Sequence, residues 1–138
     1  RTPGRLPEPM TRSLAGWLAN WRPTKRQIDD YIGRFLTEPK PSVWFEAQAR
    51  PPALSAWWEG AQRRGVRADP PSRLAYRGRH LFINGECFDM LPGTSASLRR
   101  LADSRELPPD ALRATPVDSD LARSLHQWFC AGWINHSR

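Results

Sequence analysis

Residues 70–90 read PPSRLAYRGRHLFINGECFDM, and the fold turns on them. After the Pro70-Pro71 joint, Leu74 and Tyr76 alternate with Arg73, Ala75 and Arg77, the two-residue period of a strand, until Gly78 breaks the run. His80 and Phe82 then face one side of a second strand, and Leu81 and Ile83 the other. Asn84-Gly85 follows. Both residues tolerate the positive φ that a type I′ hairpin turn demands, so residues 86–90 are expected to run back as a third strand.

Upstream the period is helical. Leu14, Trp17, Leu18 and Trp21 stand at offsets 0, 3, 4 and 7, one stripe of a helix that Pro23 ends. Thr24 and Gln27 form a capping box, in which hydroxyl and amide satisfy two orphan N–H groups. Ile28, Tyr31, Ile32, Phe35 and Leu36 then make a second stripe, stopped by Pro39 and Pro41. So short a joint predicts that these two helices pack antiparallel. Leu54, Trp57, Trp58 and Ala61 make a third stripe, with Gly65 suited to the position just past the helix end. Three short helices bury little alone and are expected to pack on one another and on a second subunit. Residues 1–9 are a Pro-rich lead-in.

Downstream, Thr94 or Ser95 can cap a helix with Leu98, Leu101 and Ala102 inward. Pro108-Pro109-Asp110 opens a short helix through Leu112 and Ala114. Asp118 can cap a third helix bearing Leu121, Leu125, Trp128 and Phe129, ended by Gly132, and Trp133-Ile134 reads as a closing strand. A small sheet, three helices and a closing strand outline a winged helix. The expected fold is therefore α+β, mainly helical: an N-terminal helical dimerisation bundle over residues 1–66, then a small winged-helix domain over 67–138.

Composition agrees with a folded chain. Hydrophobic residues are only 39% of the 138, but seven of them are Trp, each able to bury on the order of 150–250 Å². No apolar run is long enough to span a bilayer, and no signal segment opens the chain. A start at Arg1 rather than Met is read as a piece of something longer. Cys87 and Cys130 are expected to be reduced thiols of a cytoplasmic protein. The net charge of +7 is spread over both halves, which permits contact with nucleic acid without demanding it.

Catalytic chemistry is missing. His80, His126 and His136 belong to no H-x-D, H-x-H or H-E-x-x-H pattern, two distant Cys offer no zinc spacing, and neither a G-x-S-x-G elbow nor a phosphate loop occurs. Asp29-Asp30 read as the solvated face of a helix rather than a catalytic dyad. Trp17, Trp21, Trp57, Trp58, Trp128 and Trp133 are each expected in a core, with Trp17, Trp21 and Trp57 also eligible as contacts to a second subunit. Arg63-Arg64 and Arg99-Arg100 can touch phosphate, but such pairs are more often solvated helix surface. The chain is expected to hold no active site, no cofactor and no metal.

Residues 34–45, RFLTEPKPSVWF, with the later Pro51-Pro52, resemble the segment that follows the catalytic barrel in bacterial cupin-like JmjC proteins, the ribosomal oxygenases. Residues 76–88, YRGRHLFINGECF, and the late Ala131-Gly132-Trp133 are similar to that family's C-terminal winged helix. The resemblance runs from about Leu14 onward. It implies a parent with three parts: a barrel binding Fe(II) and 2-oxoglutarate that hydroxylates a ribosomal protein, a helical dimerisation region, and a winged helix. The barrel and its ligands have no counterpart here, so Fe(II) and 2-oxoglutarate are expected only in the missing catalytic domain. The first two helices are then expected to build a two-fold homodimer interface from Leu14, Trp17, Trp21, Ile28, Tyr31 and Phe35.

The rival reading is a nucleic-acid-binding winged helix with a helical dimerisation arm. Base readout needs several basic and amide side chains on a recognition helix. The candidate stretch, residues 107–114, carries Arg113 alone, with Glu106 and Asp110 beside it, and the last helix offers Arg123 and Gln127. A protein partner fits that composition better.

Overall fold

The computed structural model describes residue 4 and residues 8–138; most of the Pro-rich lead-in lies outside them. In chain order the elements are α1 (Glu8–Asn20), α2 (Lys25–Thr37), α3 (Leu54–Arg64), β1 (Val66–Ala68), β2 (Leu74–Arg77), β3 (His80–Ile83), β4 (Glu86–Asp89), α4 (Ser95–Ser104), β5 (Glu106–Leu107), α5 (Asp120–Cys130) and β6 (Ile134–His136), with one 3₁₀ turn at Pro109–Ala111.

The stretch 70–90 forms the expected antiparallel meander, β2-β3-β4. Asn84 and Gly85 turn the second hairpin at φ 49° and 87°, the two positive angles of a type I′ turn. Gly78 alone takes positive φ in the first turn, so the Gly78-Arg79 pair follows the II′ pattern. β3 is central and covered on both faces. Leu81 and Ile83 join the main core, while Phe82 lies on the opposite face beneath α2.

The second sheet, β5-β1-β6, has strands of two or three residues, below the length at which alternation can be read, and only β6 was expected. Around it pack Trp57, Trp58 and Ala61 of α3, Leu98 and Leu101 of α4, and Leu121, Leu125 and Trp128 of α5. A buried polar knot ties the two sheets together. Ser72 donates to the Trp133 carbonyl at 2.7 Å, Asn84 donates to Ser72 at 3.2 Å, and the Asn84 side-chain oxygen accepts from the Arg73 N–H at 2.9 Å. Arg105, in the left-handed region at φ 65°, sends its guanidinium to the carbonyls of Asp69, Pro70 and Ser72. Every polar atom of the knot that is buried finds a partner, which is what makes such a network stabilising.

Several expectations need correction. The first three helices do not pack on one another: α1 buries no residue, α2 lies on the β2-β3-β4 sheet, and α3 packs on α5 and β6. α3 shares its core with Leu81, Leu101 and Trp128, because apolar period reports element type and not which neighbours cover the element. Ser119, not Asp118, caps α5, accepting from the Ala122 N–H at 3.1 Å. Thr94 precedes α4 but spends its hydroxyl on the Leu91 carbonyl. The helix expected through Leu112 and Ala114 is only the 3₁₀ turn, and Leu112 just beyond it is drawn fully into the core.

Candidate association surface

α2 presents its small and polar side to its own sheet. The capping box forms as expected, with Thr24 and Gln27 exchanging hydrogen bonds of 2.8 and 3.1 Å. Asp29 pairs with Arg77 at 3.1 Å, and Gly33 sits flat on Phe82. A Cβ at position 33 would fall 2.4 Å from that ring, so only glycine lets the helix come this close. One turn on, the buried Thr37 hydroxyl donates to the Gly33 carbonyl at 2.8 Å and accepts from the Gly85 N–H at 3.0 Å. Asp29, Gly33 and Thr37 stand at i, i+4 and i+8, a small-residue stripe that the more conspicuous apolar stripe overshadows in the sequence.

The apolar stripe is left facing solvent. Leu14, Trp17, Trp21, Ile28, Tyr31 and Phe35 are all exposed, at 42–63% of their full surface, so Trp17 and Trp21 are not core residues of the single chain. Met10, Leu18, Ile32 and Leu36 are exposed beside them and extend the same stripes. Trp17 stacks on Trp21 at 5.6 Å, and Tyr31 on Phe35 at 6.0 Å, so each helix holds a pre-formed aromatic ledge. Ten large apolar side chains, each leaving on the order of 100 Å² in water, leave about 1,000 Å² uncovered along the two helices. Trp57, Trp58 and Trp128, by contrast, are buried as expected, and Trp133 is half-buried.

The titratable groups are committed elsewhere. His80 Nδ1 lies 2.9 Å from Asp89, too far off axis for a hydrogen bond; His126 Nε2 meets the Pro52 carbonyl at 2.9 Å; His136 Nε2 meets the Trp57 carbonyl at 3.0 Å. Each histidine is turned to a different neighbour, and among the described residues no group of three His, Cys, Asp or Glu can hold a metal ion. This donor set does not fit an iron centre. A groove of about 400 Å³ between α2 and the hairpin is lined by Arg26, Gln27, Asp30, Arg34, His80, Cys87 and Asp89. Its charges are largely paired, Arg34 with Asp30 at 2.9 Å, and burial followed by Asp30 pushes the Cys87 thiol up, away from the reactive thiolate.

Three arginines are similarly engaged. Arg99 donates to the Gly78 carbonyl at 2.6 Å and covers the Tyr76 ring, Arg113 pairs with Asp110 at 3.1 Å, and Arg123 with Asp120 at 2.8 Å.

Comparison with curated protein sequences gives no match. Among solved structures, the chain is similar to YcfD, a ribosomal oxygenase from Escherichia coli, with a TM-score of 0.71 and 16% identity over 99% of this chain and 38% of that one. A structure of YcfD in complex with cobalt and 2-oxoglutarate gives 0.70 and 16%, over 96% of this chain and 37% of that one. Another crystal structure of YcfD gives 0.71 and 16%, over 98% and 37%. At this identity the likeness is one of fold, and the chain spans under two-fifths of the length of those proteins. The model of the ROXA-like winged helix family matches residues 17–135, nearly the whole of what has been described, and the chain belongs to that family.

Proposed function

We propose that this chain is the non-catalytic C-terminal region of a 2-oxoglutarate- and Fe(II)-dependent protein hydroxylase of the ribosomal oxygenase kind, and that its work is to hold two copies of that enzyme together. The observation that carries this reading is the uncovered apolar stripe along α1 and α2. An uncovered apolar area near 1,000 Å² along the two helices is enough for what one partner contributes to a stable interface, about 800 Å². Two-fold pairing of the same stripes covers it without any second protein. The catalytic barrel, its metal and its co-substrate lie in the remainder of the parent, and a ribosomal protein is the substrate class. The setting is cytoplasmic; no helix among the described residues is long and apolar enough to cross a membrane.

Protein contact is favoured over DNA readout by the recognition region. It is a single 3₁₀ turn, too short to lie in a major groove, and its one arginine is paired with Asp110.

The parent can be sought directly. An antibody against this chain, used on extracts of the source cells, is expected to detect a polypeptide more than twice its length, and the captured protein to consume 2-oxoglutarate in the presence of Fe(II). A band at 15.8 kDa with no such activity would overturn the assignment.

A further inference from the structure

The two ends of the β2-β3-β4 sheet differ in charge. α2 runs along the sheet from one end to the other: Asp29 pairs with Arg77 beside the first turn, Gly33 sits on Phe82, and Thr37 accepts from Gly85 in the second turn. At the second turn Glu86 follows Gly85, and Glu38 lies against it. At the first, three elements bring cations together. The opening turn of α2 supplies Lys25 and Arg26, the hairpin turn has Arg77 and Arg79 on either side of Gly78, and α4 supplies Arg99 and Arg100, all of them exposed.

Arg99 is held in place. It donates to the Gly78 carbonyl at 2.6 Å and lies over the Tyr76 ring at 5.5 Å, while the Tyr76 hydroxyl donates to Asp103 at 3.1 Å. A guanidinium has several N–H donors, and a neutral carbonyl occupies one without cancelling the charge. Lys25, Arg26, Arg79 and Arg100 make no ion pair among the described residues. The carboxylates at this end are Asp29, Asp89 and Asp103, Asp30 being paired with Arg34 at 2.9 Å. Six cations therefore face three carboxylates, in a chain whose whole excess is +7.

We propose that this end of the sheet binds the phosphate backbone of duplex RNA without reading its sequence. Arginine dominates the cluster, and its planar fork matches two oxygens of one phosphate. The cations come from a turn and two flanking helices rather than from one helix laid in a groove, so the contacts fall on backbone and not on base edges. The wide, shallow minor groove of an A-form duplex admits a two-residue turn with its flanking arginines, whereas the B-form minor groove, about 6 Å wide, admits single side chains. A ribosomal-protein substrate, as proposed above, lies against such RNA, and this partner rests in part on that reading.

The salt dependence of binding tests the proposal. Anisotropy of a labelled RNA duplex of about 20 base pairs, titrated with this chain between about 50 and 200 mM salt, should give a log–log slope of about −5, roughly 0.9 for each cation. Replacing Arg26, Arg79 and Arg100 together by Gln should flatten that slope by about 3 and weaken binding at low salt at least about ten-fold. The three corresponding Lys substitutions should keep the slope, which a damaged fold would not. A DNA duplex of the same sequence should bind about ten-fold more weakly, and polyglutamate should fail to displace the RNA at equal charge. A slope unmoved by the Gln substitutions, DNA bound as tightly as RNA, or displacement by polyglutamate would each overturn the proposal. The readout is RNA binding by the chain itself, so a failure here leaves the length and activity of the captured parent to be judged separately.

Discussion

Phe35→Arg is expected to turn a dimer into a monomer without unfolding either copy. In the single chain the Phe35 ring is 62% exposed, so a longer, charged side chain displaces nothing and should change the stability of the monomer by no more than about 0.5 kcal/mol. In the proposed dimer the same position sits on the ledge that Tyr31 and Phe35 build together. Removing an aromatic anchor from an interface centre costs about 2–4 kcal/mol, and burying an unpaired guanidinium adds to it. Dissociation should therefore strengthen by roughly 30- to 1,000-fold. Sedimentation across a concentration series measures the shift, and a thermal melt of the diluted protein checks that the fold is kept. A variant that stays dimeric with the affinity of the parent chain would remove α2 from the interface.

Trp58→Ala should do the opposite, destroying the fold whatever the state of association. Trp58 is 1% exposed, packs against Trp57 at 6.2 Å, and donates its indole N–H to the Thr115 carbonyl at 3.0 Å. Truncation leaves a cavity between α3 and the segment after the 3₁₀ turn and leaves that carbonyl with Gln62 as its side-chain donor, a loss of about 3–5 kcal/mol. Domains of this size hold only about 5–15 kcal/mol in total, so most of the margin goes. Urea unfolding in the Phe35→Arg background isolates the effect from dimerisation. Trp44→Ala is the control: Trp44 is 87% exposed on the segment between α2 and α3, and its loss should stay within about 0.5 kcal/mol.

The tryptophans show where sequence reasoning reaches its end. Leu14-Trp17-Leu18-Trp21 and Leu54-Trp57-Trp58-Ala61 present much the same helical stripe, yet the first is bare and the second is core. Periodicity says which residues share a face. It does not say what covers the face, because that depends on contacts between residues far apart in sequence. Local chemistry, by contrast, was legible: the Asn84-Gly85 turn, the Thr24–Gln27 capping box and the Gly65 helix end are each decided within a few residues. β1 and β5 escaped because their two or three residues carry no countable alternation. The docking of α2 through Gly33 and Thr37 left a trace, a small-residue stripe opposite the apolar one, that can be read only by asking why a helix this short tolerates glycine at its centre. Arg105 left none: a left-handed arginine holding three carbonyls of a distant turn looks, in sequence, like any surface arginine.

Much therefore rests on whether the stripes of α1 and α2 are covered by a second copy of the chain. Sedimentation equilibrium of the unaltered protein answers this most directly. A single species at twice 15.8 kDa is expected from low micromolar concentration upward. A clean 15.8 kDa monomer persisting at high micromolar concentration would contradict self-association through these helices.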